Sequence, residues 1–110
     1  MFVSGDSGIP PYAVFRQALD AGDLGRVRTL ARLMPSVGIE DALRICLLLR
    51  DHDGYERAAV KWLGRFALEA RSASVEDVVA AAAALNALPH RPDAAMERLW
   101  SICARAGVAS

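Results

Sequence analysis

The sequence predicts an all-α protein of five to six short antiparallel helices, arranged as a helical bundle or as a short α-solenoid-like array of helical hairpins. Apolar residues recur at helical spacing in successive stretches, and Gly or Pro stands between most of those stretches. Ala, the best helix former, is the commonest residue, and 54% of the chain is apolar. A chain of 110 residues with this composition can bury a core without metals or disulfides.

The N-terminal part of the chain predicts a tight hairpin of two helices. Residues 1–9, rich in Gly and Ser, are expected to form a flexible arm, after which a first helix extends to about residue 20. Gly22 ends this helix, and Asp23 is placed to cap a second helix with its apolar residues on one side. We expect residues 10–107 to form a single all-helical domain after the arm.

The third and fourth predicted helices are joined by a short loop. The third spans about residues 39–51, and its run from Ile45 to Leu49 is apolar nearly all round. The fourth lies within residues 54–71, and Asp53 and Glu56 have the spacing of a capping box at its start. Its apolar arc covers about 160° of the helix at 100° per residue, so we expect neighbours on two of its sides.

The last two predicted helices begin and end at defined signals. Ser74 and Asp77 have a second capping-box spacing before a helix over about residues 75–88. Proline follows, and a sixth helix over about residues 93–106 ends at Gly107. These residues can satisfy backbone groups that a helix end leaves unpaired.

A shift of 36 residues aligns the apolar positions of the second, fourth and sixth helices. The turns before the third and fifth helices align at the same shift, as expected of stacked helical hairpins. The alternative is an irregular six-helix bundle with hairpins of similar length. The aligned positions are Leu24, Val27, Leu30, Ala31 and Met34, then Val60, Leu63, Phe66, Ala67 and Ala70, then Met96, Leu99, Ile102, Cys103 and Ala106.

Both arrangements bury one side of every helix, and the residues at the centre of each apolar stripe are the predicted core. The alanine run of the fifth helix also allows a second helix, of this chain or of another subunit, to approach Ala80, Ala84 and Ala87 closely. The predicted core residues are Phe15, Val27, Leu30, Leu43, Cys46, Leu63, Phe66, Val79, Leu85, Leu99 and Ile102.

Charge and composition argue against some partners. The 13 basic and 13 acidic residues cancel, which leaves no net field toward nucleic acid or an anionic membrane. All but one of the basic residues are Arg, a bias that indicates a GC-rich bacterial genome. The N-terminus lacks the pattern of a signal peptide, and no apolar run is long enough to cross a bilayer. We therefore expect a bacterial cytoplasmic protein with no membrane contact.

The sequence predicts no enzyme, no metal site and no cofactor. Asp51, His52 and Asp53 place an imidazole between two carboxylates, but a loop between two helices accounts for them. Cys46 and Cys103 lie far apart in apolar helical contexts, so buried free thiols are expected. The chain has no Gly-rich phosphate loop and no Cys-x-x-Cys pattern.

A DNA-binding helix-turn-helix regulator that uses residues 26–50 is the alternative function. Arg26, Arg28 and Arg32 would contact phosphates, and the third helix would read the major groove. The first turn of that third helix is acidic, and its charges would repel phosphates. Nucleic acid is therefore disfavoured as a partner.

Apolar side chains on otherwise polar helix faces predict a protein interface. Leu48, Leu68 and Trp100 have this character on the third, fourth and sixth helices. Tyr55 and Trp62 extend the apolar arc of the fourth helix, and either the first hairpin covers this aromatic edge or the two residues form part of a recognition surface. The predicted function is a non-catalytic protein–protein interaction module of a bacterial cytosolic protein, with a protein partner or a second copy of the chain bound at these residues.

Overall fold

Six α-helices make up the structure, a computed structural model that describes residues 10–34 and 36–108. No strand occurs within those ranges, so the predicted all-α class is confirmed. The predicted arm over residues 1–9 lies outside the described residues. The helices are α1 (Pro11–Ala21), α2 (Leu24–Leu33), α3 (Ile39–Leu48), α4 (Tyr55–Glu69), α5 (Val75–Ala87) and α6 (Pro92–Ala106).

The chain divides into two compact units, Met1–Val37 and Gly38–Ser110. The first unit holds α1 and α2, and the second unit holds α3 to α6. The division falls between α2 and α3, where Gly38 is the N-cap of α3. The single domain over residues 10–107 stays a prediction.

The first unit is a helical hairpin, as predicted. Gly22 ends α1 with a φ of 70°, and its N–H donates to the carbonyl oxygens of Ala18 and Leu19. Asp23 caps α2, because its carboxylate accepts the backbone N–H of Arg26 at 3.2 Å. These two adjacent residues turn the chain so that α1 and α2 pack against each other.

In the second unit each helix packs against the next one along the chain, α3 on α4, α4 on α5 and α5 on α6. The backbone N–H of Ser72, in the loop before α5, donates to the carbonyl oxygen of Ala106 at 2.8 Å. Gly107 then ends α6 with a φ of 75°, a left-handed conformation that favours Gly. α5 therefore has a neighbour on each side, α4 and α6.

The buried side of α4 contributes two aromatic anchors to the second unit. Trp62 is 2% exposed, and its ring stacks on Phe66 with the centroids 5.4 Å apart. Its indole N–H donates to the carbonyl oxygen of Ile39 at 2.8 Å, and the hydroxyl of Tyr55 donates to the carbonyl oxygen of Leu85 at 2.7 Å. Both side chains thus bury a polar group together with a partner, which avoids the cost of an unpaired buried donor.

The carboxylate of Asp77 connects the start of α5 to the end of α6 through hydrogen bonds. Its carboxylate accepts the backbone N–H of Ser74 at 3.1 Å, and the hydroxyl of Ser74 accepts the backbone N–H of Asp77, which completes the predicted capping box. The same carboxylate accepts two bonds from the guanidinium of Arg105, the shorter of them 2.8 Å long. These bonds, first that from the Ser74 backbone and then those from Arg105, lower the pKa of Asp77 below its ordinary value.

Low pH should lower the free energy of unfolding of the second unit, because Asp77 becomes protonated. Because its pKa is lower in the folded protein than in the unfolded chain, ionised Asp77 stabilises the fold above its unfolded pKa, and this contribution is lost as the pH falls through its folded pKa. We expect Asp77→Asn to lower the free energy of unfolding at about pH 6 and to have a smaller effect at about pH 2. Urea unfolding followed by circular dichroism measures both values, and an equal effect at the two pH values would contradict the prediction.

The predicted cap of α4 is wrong. α3 ends at Leu48, earlier than predicted, and residues 51–54 form turns. The N-cap of α4 is Gly54, and no side chain caps the helix. Asp53 and Glu56 form no capping box, because the box joins the N-cap to the third helical residue and Asp53 lies one residue too early.

Burial does not follow the 36-residue correspondence in α4. Val60 and Ala67 are exposed, whereas their counterparts in α6, Met96 and Cys103, are buried. A shift of 36 residues is ten helical turns, so amphipathic helices can agree at this shift without a shared fold. The repeat stays a prediction.

The predicted core is largely buried, with one error. Val79 is 63% exposed, and Leu30 and Leu63 are half-buried. Because α5 is apolar on nearly every side, the sequence pattern does not fix which side is covered. The predicted core residues that are buried are Phe15, Val27, Leu43, Cys46, Phe66, Leu85, Leu99 and Ile102.

Candidate protein interface

The outer side of α5 is apolar and uncovered. Val75 is 80% exposed and Val79 is 63% exposed one helical turn later, and Ala83 is exposed at the following turn. The other side of the helix carries buried residues, among them Ala81 and Leu85. An all-round apolar helix is typical of one that is covered on every side.

The apolar surface continues on α4. Val60 is 65% exposed and Leu68 is 89% exposed, and Gly64 and Ala67 are exposed between them. These residues share one side of the helix with the exposed Lys61, because each of them is three or four residues from Gly64. We name the exposed apolar side of both helices the α4–α5 face. It consists of Val60, Ala67, Leu68, Val75, Val79 and Ala83.

A groove joins the α4 and α5 parts of the face. It is lined by Val60 and Leu63 from the first part of α4 and by Ala82, Leu85 and Asn86 from the last part of α5. The two helices therefore run antiparallel. Val60 is the member of the face that lines this groove, and Glu56 and Ala59 of α4 line it too.

Residues of opposite charge lie near the two ends of the α5 part of the face. Glu76 is exposed in the first turn of α5. Arg91 and Arg98 are exposed at the other end, where they line a groove between the last part of α5 and α6. Within residues 10–34 and 36–108, neither Glu76 nor Arg98 forms an ion pair. Glu76 and Arg98 thus lie towards opposite ends of α5.

Substitution of Gly64 tests whether the exposed side of α4 is free of contacts with other parts of the chain. In the described part of the chain, no neighbouring group lies within 4 Å of the position that a Cβ would take. Because a helix interior favours Ala over Gly, we expect Gly64→Ala to raise the free energy of unfolding by about 0.5 to 1 kcal/mol. Urea denaturation at low protein concentration measures this change. A loss of stability would show that another part of the chain covers this position.

Tyr55 and Trp62, predicted as interface residues, do not lie on the surface. Tyr55 is 7% exposed and Trp62 is 2% exposed, and their polar groups bond to the backbones of α5 and α3. Burial therefore contradicts their place on a recognition surface, and the helices that bond to them are α5 and α3, not those of the first hairpin. Their place in the predicted interface is corrected accordingly.

Of the remaining predicted interface residues, Leu68 is exposed. Leu48 on α3 and Trp100 on α6 are half-buried. Leu48, Leu68 and Trp100 are therefore not exposed together. Leu68 belongs instead with Val60, Val75 and the other members of the α4–α5 face.

The alanine-rich back of α5 is covered by α6 of the same chain. Ala84 is buried, and Ala80 and Ala87 are half-buried. Ala84 and Ala87 line the groove beside α6. Small residues let α6 approach this side of α5, and the approach of a helix from another subunit stays a prediction.

Val75 and Val79 are among the members of the α4–α5 face that the sequence patterns missed. Val75 is the first residue of α5, and Val79 was assigned to the core. The signal that could have found them is the apolar character of the whole helix, since a helix in a small unit rarely finds cover on every side within its own chain.

The arginines of the alternative DNA-binding site lie on the surface. Arg26, Arg28 and Arg32 are all exposed on α2. Residues 26–50, however, run across the boundary between the two units, with α2 in the first and α3 in the second. The DNA-binding alternative stays a prediction.

Neither cysteine is arranged as a nucleophile. Cys46 and Cys103 are buried free thiols, as predicted, and burial raises the pKa of each to about 11. Such thiols are almost fully protonated at neutral pH, and only a thiolate attacks. His52 is exposed in the loop before α4. Across the described ranges, no three His, Cys, Asp or Glu side chains are grouped so that they could hold a metal ion.

Comparison of the chain with protein-family models, curated proteins and solved structures gives no match. Function is therefore inferred from the side chains and surfaces of this chain alone. Among the helices that the structure describes, none combines the length and apolar character needed to cross a bilayer.

Proposed function

We propose that the chain is a non-catalytic protein–protein interaction module of a bacterial cytosolic protein, and that its α4–α5 face binds the partner. The supporting observation is the exposure of Val60, Leu68, Val75 and Val79 on two adjacent helices. Single exposed apolar residues are common on soluble proteins, whereas a contiguous group of them marks an interaction surface.

Burial of these side chains would supply the binding free energy. Transfer of one Val or Leu side chain from water into a fully apolar contact is worth about 1.5 to 3 kcal/mol. Gly64, Ala67 and Ala83 lie among the larger residues, so a partner backbone can approach the surface. A groove between two helices with this character suits the apolar side of an amphipathic helix.

Photo-cross-linking in the source bacteria tests the proposal. p-Benzoylphenylalanine in place of Val79 puts a photoreactive group on the α4–α5 face. The same group in place of Leu33, which is 75% exposed on α2, is the matched control. Irradiation should give a discrete protein adduct from the Val79 position and none from the Leu33 position. No adduct from Val79, or the same adducts from both positions, would contradict the proposed interface.

A further inference from the structure

We infer that the occupant of the α4–α5 face is a second copy of this chain, whose α5 lies antiparallel to the α5 of the first copy. The inference rests on the proposed function, because it names the partner of the same face. It depends on where charges lie beside α5 and where apolar residues lie along α4.

The charges beside α5 complement those of a second copy. Glu76 lies in the first turn of α5, and Arg98 lies on α6 next to Ala83 and Ala84, in the last part of α5. A two-fold axis that lies between the copies, perpendicular to α5 and level with its middle, makes the two α5 helices antiparallel. The α6 helices of both copies then lie on the same side of the α5 pair. Glu76 of each copy then faces Arg98 of the other copy, and this contact occurs twice.

A parallel pair lacks this complementarity. Its axis runs along α5, so the α6 flank of one copy meets the α4 flank of the other. Glu76 and Arg98, which both lie on the α6 flank, then face the α4 flank of the other copy and not each other.

The apolar residues of α4 fit the antiparallel pair as well. The α4 flanks of the two copies then face each other in opposite directions, with Gly64 near the axis. Val60 and Leu68 lie four residues before and four residues after Gly64, so Val60 of one copy faces Leu68 of the other. Gly64 has no side chain to obstruct this contact. The chain carries 13 basic and 13 acidic residues, so no net repulsion opposes the association of two copies.

Complementary charge reversal tests the pairing. Glu76→Arg and Arg98→Glu each put like charges at both ends of a homodimer, so each variant alone should raise the dissociation constant about tenfold or more. In an equimolar mixture of the two variants, the mixed dimer has opposite charges at both ends. We expect the mixture to recover the affinity of the unchanged protein. Sedimentation velocity over a range of concentrations measures all of these constants.

The control variant is Arg28→Glu, a charge reversal at an exposed position of α2, which should leave the dissociation constant unchanged. Circular dichroism verifies that each variant is folded, as expected for changes at exposed positions. An unchanged protein that stays monomeric at roughly 1 mM overturns the inference, because such an affinity is at the weak limit of association. A mixture that associates no better than its separate components overturns it too.

Failure of the inference can be told apart from failure of the proposed function. A cross-linked adduct from the Val79 position that contains a different protein would overturn the second copy and leave the interface in place. Absence of any adduct would overturn both. An adduct of two copies, together with recovery in the mixed variants, supports both.

Discussion

Replacement of Trp62 by Ala is expected to lower the free energy of unfolding of the second unit by about 3 to 5 kcal/mol. Trp62 is 2% exposed, stacks on Phe66 and donates its indole N–H to the carbonyl oxygen of Ile39. Its loss leaves a cavity beside the Phe66 ring and takes a donor from a buried carbonyl oxygen. A small domain is stable by only about 5 to 15 kcal/mol, so the variant should be close to unfolded.

Urea unfolding at low protein concentration, followed by circular dichroism, measures this loss. Leu68→Ala is the matched control, because Leu68 lies on the same helix and is 89% exposed. Its effect should stay within about 0.5 kcal/mol. Trp62→Phe keeps part of the ring but removes the N–H, and it should cost less than Trp62→Ala. Equal losses for Trp62→Ala and Leu68→Ala would contradict the division of α4 into a buried and an exposed side.

The double change of Val75 and Val79 to Asp is expected to abolish binding while the fold remains. Both side chains are largely exposed, at 80% and 63%, so the free energy of unfolding should change by no more than about 1 kcal/mol. An Asp at the first position of α5 also interacts favourably with the helix dipole. In the complex, however, two carboxylates would be buried among apolar side chains without partners. We expect the dissociation constant to rise at least about 100-fold, which corresponds to about 2.7 kcal/mol.

The matched control for this double variant is Leu33→Asp. Leu33 is 75% exposed on α2 and lies outside the α4–α5 face, so this variant should bind as the unchanged protein does. Sedimentation velocity, or titration with the protein that cross-linking at Val79 identifies, measures binding. If Leu33→Asp weakened binding as much as the double variant, the effect would be a general one of surface charge and the α4–α5 face would not be the interface.

Helix ends could be predicted where one residue determines them locally. Gly22 and Gly107 adopt positive φ values of 70° and 75° at the ends of α1 and α6, which is why Gly is favoured there. Ser74 and Asp77 satisfy each other's backbone N–H groups within four residues of chain. The start of α4 could not be predicted in the same way. Asp53 has the right spacing to Glu56, but the turns before the helix move its first residue to Tyr55.

Which side of a helix is buried depends on its neighbours, and the sequence does not name them. α5 has apolar residues on nearly every side, so several stripes fit its pattern, and the stripe that contains Val79 proved to be the open one. Contacts with α4 and α6 bury Ala81 and Leu85 instead. The candidate interface lies on that uncovered side, and only Leu68 among its members was predicted.

The wide apolar arc of α4 could also be predicted from the sequence only in part. Helical spacing brings Tyr55 and Trp62 to one side of the helix, and this could be predicted. Which groups cover them could not be predicted. Their side chains donate hydrogen bonds to the backbone carbonyl oxygens of Leu85 and Ile39, which are 30 and 23 residues away. The two interpretations of these aromatic residues could therefore be separated only by the structure.

Hydroxyl-radical footprinting compares the accessibility of the α4–α5 face in dilute purified protein and in the source cells. Val75 and Val79 should be oxidised readily in the dilute protein, where they are exposed, and several-fold less in the cell, where the proposed partner would cover them. Leu33 should be oxidised to the same extent in both samples. Equal oxidation of Val75 and Val79 in the two samples, with Leu33 unchanged, would contradict the assignment of this face as an interface.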